Sequence, residues 1–169
     1  MPDAPQAAPL VDLRGKRGLI VGIANEHSIA TACAEAFARC GARLAATYLN
    51  AKAEPFVRIV TDRLACELAL PLDVNVDGQL EAVFESIRSK WRGLDFLLHS
   101  IAFAPREDLH GRVTDCTAKG FDVAMNISCH SFIRMAHLAE PLMPDGGSSR
   151  RHLLWCRAGG RTLQYDGPG

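Results

Sequence analysis

The sequence predicts an α/β fold, a parallel sheet wound with helices on both faces, and three observations predict it. Apolar, partly branched runs recur at Leu19-Ile20-Val21 and at residues 43–48, 67–74 and 94–102, as expected of strands buried on both faces. Between them lie stretches with apolar residues at helical spacing. The first run passes directly into a glycine-containing turn and a helix start, residues 22–30, which opens a βαβ unit. Repetition of that unit with right-handed crossovers gives a Rossmann-type doubly wound sheet whose turns face one crevice.

In chain order, Ser28 is the expected cap of the first helix. Ile29, Ala32, Cys33, Ala36, Phe37 and Cys40 follow at i, i+3, i+4, i+7, i+8 and i+11, and Gly41 supplies the left-handed stop. A helix N-terminus fed by such a turn can hold a pyrophosphate, although Gly22 alone is a weak match to a three-glycine fingerprint and also fits an ordinary βα turn. The second strand, 43–48, ends without the acid that often binds an adenine ribose. Lys52 beyond it reads either as a 2′-phosphate partner or as a solvated lysine. A helix over 50–66 is expected to turn Phe56, Val57, Val60 and Leu64 inward. The third strand closes on Asp73, a possible acceptor for an adenine amino group or a simple cap. Residues 76–91 form a helix with Leu80, Val83, Phe84, Ile87 and Trp91 on one face, broken by Gly93. The run 94–102 is a central strand, and His99 within it reads as a hydrogen-bonded structural histidine. After a polar loop over 104–115, residues 117–141 read as a long helix whose wide stripe, with Phe121, Met125, Phe132 and Met135, suits the core or a subunit contact.

Composition narrows the function. Nineteen Lys and Arg balance 19 Asp and Glu for a net charge of +0, which gives no support to nucleic acid or a membrane surface as partner. Residues 1–11 read as a flexible start without signal-peptide features, and no run reaches membrane-spanning length, so a cytoplasmic location is expected. Six cysteines without a Cys-x-x-Cys pair read as buried thiols, with no metal expected.

The segments from Gly22 to Ala30, Leu72-Asp73-Val74, the run from Gly93 to Arg106 that contains His99-Ser100-Ile101-Ala102-Phe103-Ala104-Pro105, and the stretch from Ala139 to Ser148 together resemble the NADH-dependent enoyl-acyl-carrier-protein reductases, divergent short-chain dehydrogenases/reductases. The resemblance covers about residues 12–148, expected to be a partial dinucleotide-binding domain. It implies hydride transfer from NADH to the β-carbon of a trans-2-enoyl thioester on acyl carrier protein. By position it implies that Gly22, Ile23, Ser28 and Ile29 hold the pyrophosphate and ribose, Asp73 and Val74 the adenine, and Ser100, Ile101 and Ala102 the nicotinamide-side ribose. Departures are Leu49 where many relatives have Gln, and Asn126 and His130 where Asp and Tyr are common.

After Ser148 the resemblance stops. The family places two tyrosines and a lysine in a Tyr-x6-Lys arrangement there, the second tyrosine donating to the thioester oxygen as enolate charge develops. Here Leu153 and Leu163 stand at the tyrosine places, and Tyr165 is followed by four residues. No catalytic residue is therefore assigned. Residues 149–169 read as an aberrant tail: codons for Leu153-Leu154-Trp155-Cys156 exist whose next frame spells Tyr-Tyr-Gly-Ala, the family's wording, so a frameshift near Ser148 is expected. The sheet is then incomplete at its C-terminal side, the chain has little or no reductase activity, and the family's homotetramer is in doubt. A non-catalytic dinucleotide-binding fragment is the alternative.

Overall fold

The computed structural model describes residues 11–151. In chain order come β1 (Arg17–Val21), α1 (Ile29–Arg39), β2 (Arg43–Tyr48), α2 (Glu54–Arg63), β3 (Leu68–Pro71), α3 (Gln79–Trp91), β4 (Phe96–His99), α4 (Ala118–Met125), α5 (Ser131–Ala139) and β5 (Ser148–Arg151). The strands form one parallel sheet in the order β3-β2-β1-β4-β5. The chain steps outward from β1 to β3 and then returns to the other side of β1, so the winding reverses between β1 and β4, the place where doubly wound sheets open a ligand crevice.

Alternation along the central strands divides the core between the two faces. Leu19, Val21 and Leu97 pack with Leu80, Phe84 and Ile87 of α3 and Met135 and Ala139 of α5. Ile20, Leu44 and Leu98 pack with Ala30 and Ala34 of α1 and Val57 and Val60 of α2. Each large side chain so buried contributes about 1.5–3 kcal/mol. At the amino edge, Arg43 binds Glu67 through two hydrogen bonds of 2.6 and 2.9 Å, Trp91 Nε1 donates to the same carboxylate at 2.8 Å, and the Arg43 guanidinium lies 5.8 Å from the Trp91 ring centroid. Arg43, with Trp91, holds the Glu67 carboxyl down at about 2.

β2 and the buried face of α3 follow the sequence reading, while several other elements differ from it. The expected inward stripe of α1 began with Ile29 and Ala32, yet both are exposed, and Ala30, Thr31 and Ala34 are buried instead. Small alanines let the helix approach the sheet, and Thr31 goes inside because its hydroxyl donates to the Asn25 carbonyl at 2.7 Å. α2 starts four residues later than expected, since the Asn50 side chain accepts from the backbone of Lys52 and Ala53 at 3.0 and 3.1 Å and holds a turn there. Phe56 is 58% exposed, and Thr61 takes an inward place. β3 stops at Pro71, before Asp73, and α3 ends with Arg92 itself at φ 60°, one residue ahead of Gly93.

The helix expected over 117–141 is three pieces. Thr117 caps α4 by accepting from Gly120 N–H at 2.9 Å, a π turn at Asn126–His130 follows, and α5 continues. The extra residue of the π turn rotates the stripe, so that Met135 and Ala139 are buried while Phe121, Met125 and Ile133 are 57%, 44% and 59% exposed. The tail expected to be disrupted from Ser149 begins instead with regular pairing, Phe96 to Ser148 through His99 to Arg151. The backbone can join a ladder whatever its side chains. Leu153, Leu163 and Tyr165 lie outside the described residues, as does Cys156. Of the other five cysteines, expected to be buried, Cys33, Cys40, Cys66 and Cys129 are half-buried and Cys116 is exposed. No helix among the described residues is long and apolar enough to cross a membrane, and among them no group of three or more metal-binding side chains is present.

Candidate functional site

The carboxyl ends of β1 and β4 meet the α1 N-terminus at the switch point. Gly22 leaves β1 with φ +103°, and an added Cβ would lie 2.6 Å from the Ser100 carbonyl carbon and 2.7 Å from Ile101 Cγ2. The two strand ends therefore approach as closely as they do only because position 22 has no side chain. Ser100 N–H completes the junction by donating to the Val21 carbonyl at 2.8 Å.

The turn between Gly22 and Ser28 is shaped by Asn25. Its side-chain oxygen accepts from His27 N–H at 2.8 Å, its carbonyl accepts from Ser28 N–H at 3.2 Å and from the Thr31 hydroxyl. Ser28 caps α1, accepting from Thr31 N–H at 3.3 Å. The first-turn N–H groups of Ile29 and Ala30 precede the helix's own ladder and remain as donors for an anion. The acid in this turn, Glu26, is drawn to Arg63 of α2 at 3.1 Å, and Arg63 also binds Glu35 of α1 at 2.7 Å. That pairing offsets a charge that would otherwise repel a phosphate at the helix start.

The sequence-predicted residues divide into three groups around this edge. Gly22, Ser28 and Ile29 line the turn, whereas the side chain of Ile23 is buried in the core, which leaves only its backbone to face a ligand. Asp73 lies past β3, where its Oδ1 accepts from Asn75 N–H at 2.9 Å and Nδ2 at 3.1 Å; it holds that turn and does not cap α3, whose N-cap is Gly78 without a side-chain cap bond. Val74 is also buried, and its carbonyl accepts from Arg134 Nη1 at 3.0 Å. Ser100, Ile101 and Ala102 follow β4, with Ile101 packed against the core and Ala102 exposed. Lys52 is exposed, and Leu49, at the end of β2, is 57% exposed.

The π turn supports β4 from one face of the sheet. His99 is fully buried, and its Nε2 lies 2.8 Å from Ser131 Oγ. The single Ser131 proton is donated to the Ile127 carbonyl at 2.6 Å, which assigns the Nε2 proton to the histidine, donating to serine. The Phe132 ring meets the imidazole edge-on, with centroids 5.5 Å apart. This is the structural role expected of His99. Ser128 accepts from Phe103 N–H at 3.0 Å and donates to the Phe103 carbonyl at 3.3 Å. The two family departures Asn126 and His130 touch each other, Oδ1 to Nδ1 at 3.3 Å.

Ser128, Ser131, Arg134, Asn25 and Thr31 were not singled out from the sequence. Ser131 carried a signal, because it shares a face with Met135 and Ala139, and a hydroxyl on an apolar face requires a partner. Ser128 and Arg134 carried none, since their partners are backbone groups distant in sequence.

A family model described as enoyl-(acyl carrier protein) reductase matches residues 22–149. The chain is 42% identical over 142 residues to the NADH-dependent enoyl-[acyl-carrier-protein] reductase FabI of Synechocystis sp., covering 82% of this chain and 55% of that protein. It is 40% identical over 136 residues to the FabI of Rickettsia felis, with 80% and 52% covered. Among solved structures, the enoyl-(acyl-carrier-protein) reductase of Anaplasma phagocytophilum in complex with NAD superposes with a TM-score of 0.79 at 37% identity, covering 82% of this chain and 53% of that one. The NADH enoyl-[acyl-carrier-protein] reductase of Aquifex aeolicus gives 0.79 at 38% identity, with 82% and 56% covered. The chain spans about half the length of the curated relatives it matches.

Proposed function

Because the chain belongs to the enoyl-(acyl carrier protein) reductase family, we propose that its described domain is the NADH-binding half of an enzyme that reduces a trans-2-enoyl thioester on acyl carrier protein in the cytoplasm. The observation that carries this reading is the junction of Gly22, Ser100 and the α1 N-terminus at the switch point. The residues fit a dinucleotide: the turn is compact, its acid is paired with Arg63, and donors stand at the helix start.

Gly22, Ile23, Ser28 and Ile29 hold the pyrophosphate and its ribose, Ile23 through its backbone. Asp73 and Val74 hold the adenine, and Ser100, Ile101 and Ala102 the nicotinamide-side ribose. Bound NADH supplies the hydride delivered to the β-carbon of the enoyl group. The domain's own contribution is to orient that donor against β4 and keep the turn rigid.

The second reading, a non-catalytic dinucleotide-binding module, is favoured by Leu153 and Leu163 at the family's tyrosine places. An alkyl side chain cannot donate to an enolate oxygen, and loss of such a donor removes about two to three orders of magnitude of rate. The aberrant, frameshifted reading of residues 149–169 belongs with it. Fluorescence titration of the 169-residue chain with NADH, followed by NADH oxidation with a crotonyl thioester, separates the readings. Binding without turnover selects the module, binding with turnover at family rates selects the reductase, and absence of NADH binding removes both.

A further inference from the structure

The helical rod formed by α4, the π turn and α5 touches both ends of the proposed crevice through polar side chains. Ser128 satisfies both backbone groups of Phe103, N–H at 3.0 Å and carbonyl at 3.3 Å, and Phe103 directly follows Ser100, Ile101 and Ala102. Ser100, at the start of that segment, is still tied to β1 through its N–H to the Val21 carbonyl, but the segment lies beyond β4, and its far end at Phe103 is held by the Ser128 hydroxyl. At the other end, Arg134 Nη1 donates to the Val74 carbonyl at 3.0 Å, and Glu81 of α3 lies 3.7 Å from its Nη2. Val74 follows Asp73 in the turn after β3, which is separated from β4 by β2 and β1.

We propose that Ser128 and Arg134 are positioning residues that hold the two ends of the dinucleotide crevice separately, Ser128 the nicotinamide side and Arg134 the adenine side. The inference rests on the NADH-binding reading. Neither side chain touches the ligand in this account; each acts through the backbone it binds. The π turn makes the arrangement possible, because its added residue places Ser128 toward the segment after β4 while Ser131 reaches His99 and Arg134 reaches Val74 from the same rod.

The test compares two ligands on the full chain: NADH, which spans both ends, and ADP, which lacks the nicotinamide side. Removing one net hydrogen bond corresponds to about a tenfold change at most in an equilibrium constant. Ser128→Ala is expected to weaken NADH about 5- to 10-fold and leave ADP within about twofold, with Ser128→Thr restoring NADH because it keeps the hydroxyl. Arg134→Met is expected to weaken NADH and ADP by the same factor. Circular dichroism melting of each variant separates these losses from unfolding, which lowers both affinities in every variant alike. If Ser128→Ala weakens ADP as much as NADH, or Arg134→Met spares ADP, the proposal is wrong. If the unsubstituted chain binds neither ligand, the NADH-binding reading itself fails, an outcome distinct from binding without the split.

Discussion

Replacing Gly22 by alanine tests the geometry on which the site depends. An alanine at φ +103° is strained by about 1–3 kcal/mol. Its methyl would also stand 2.6 Å from the Ser100 carbonyl carbon and 2.7 Å from Ile101 Cγ2. The first of these is backbone, so relief requires β4 to draw away from β1, which endangers the Ser100–Val21 hydrogen bond of 2.8 Å, worth about 1 kcal/mol. With the displaced packing of Ile101, the total comes to about 3–5 kcal/mol, at the upper end of single-substitution effects. Gly78→Ala is the control, because Gly78 has φ +79° but nothing within 4 Å of an added Cβ; it should cost about 1 kcal/mol from the backbone alone. Urea unfolding followed by circular dichroism gives both values in one experiment. Equal losses for the two variants would refute the close approach of β1 and β4 as the reason for glycine at position 22.

Three further outcomes follow from the packing and the ion pairs. Phe84→Ala removes a side chain that is 2% exposed between α3 and the sheet and should cost about 3–5 kcal/mol in the same unfolding assay. Ser131→Ala takes away the acceptor of the His99 Nε2–H and the donor to Ile127, with an expected loss of about 1–3 kcal/mol; a loss near zero would contradict the assigned proton. The Glu67 carboxyl is lowered from 4.5 to about 2, chiefly by Arg43. Its contribution is therefore full above pH 4.5 and disappears as pH falls toward 2. Solvent screening at this partly exposed pair reduces the contribution to about 1 kcal/mol, so Glu67→Gln should flatten the acid limb of the stability profile by that amount and leave its slope near neutral pH unchanged.

The periodicity of α3 was legible because Leu80, Val83, Phe84, Ile87 and Trp91 are large and apolar and the opposite face is charged. β2 was legible for a related reason: a run buried on both faces has few alternatives. α1 was misjudged by about one residue around its axis, since alanines at most positions leave the pattern weak and the buried threonine is polar in sequence but satisfied in space. The π turn was not legible at all. It inserts one residue without a glycine or proline to mark it, and its stabilising contacts come from His99 and Phe103, far away in the chain. Of the candidate site, the turn and the end of β1 were found from the sequence, while β4 stops at His99 rather than running to residue 102, and the groups that hold the strand ends from behind were not found.

Parallel pairing at the switch point also orders events during synthesis. β1 lies between β2 and β4, and the contact that seats it beside β4, Arg17 with Asp95, joins residues 78 apart. While the ribosome has released only the segment through β3, one edge of β1 stays open, with Leu19, Ile20 and Val21 unshielded on that side. The N-terminal three strands can pair early, but the crevice forms only when β4 emerges and docks. Loop closure of that span slows docking, and the waiting edge is the stage at which a nascent chain is most exposed to association with another.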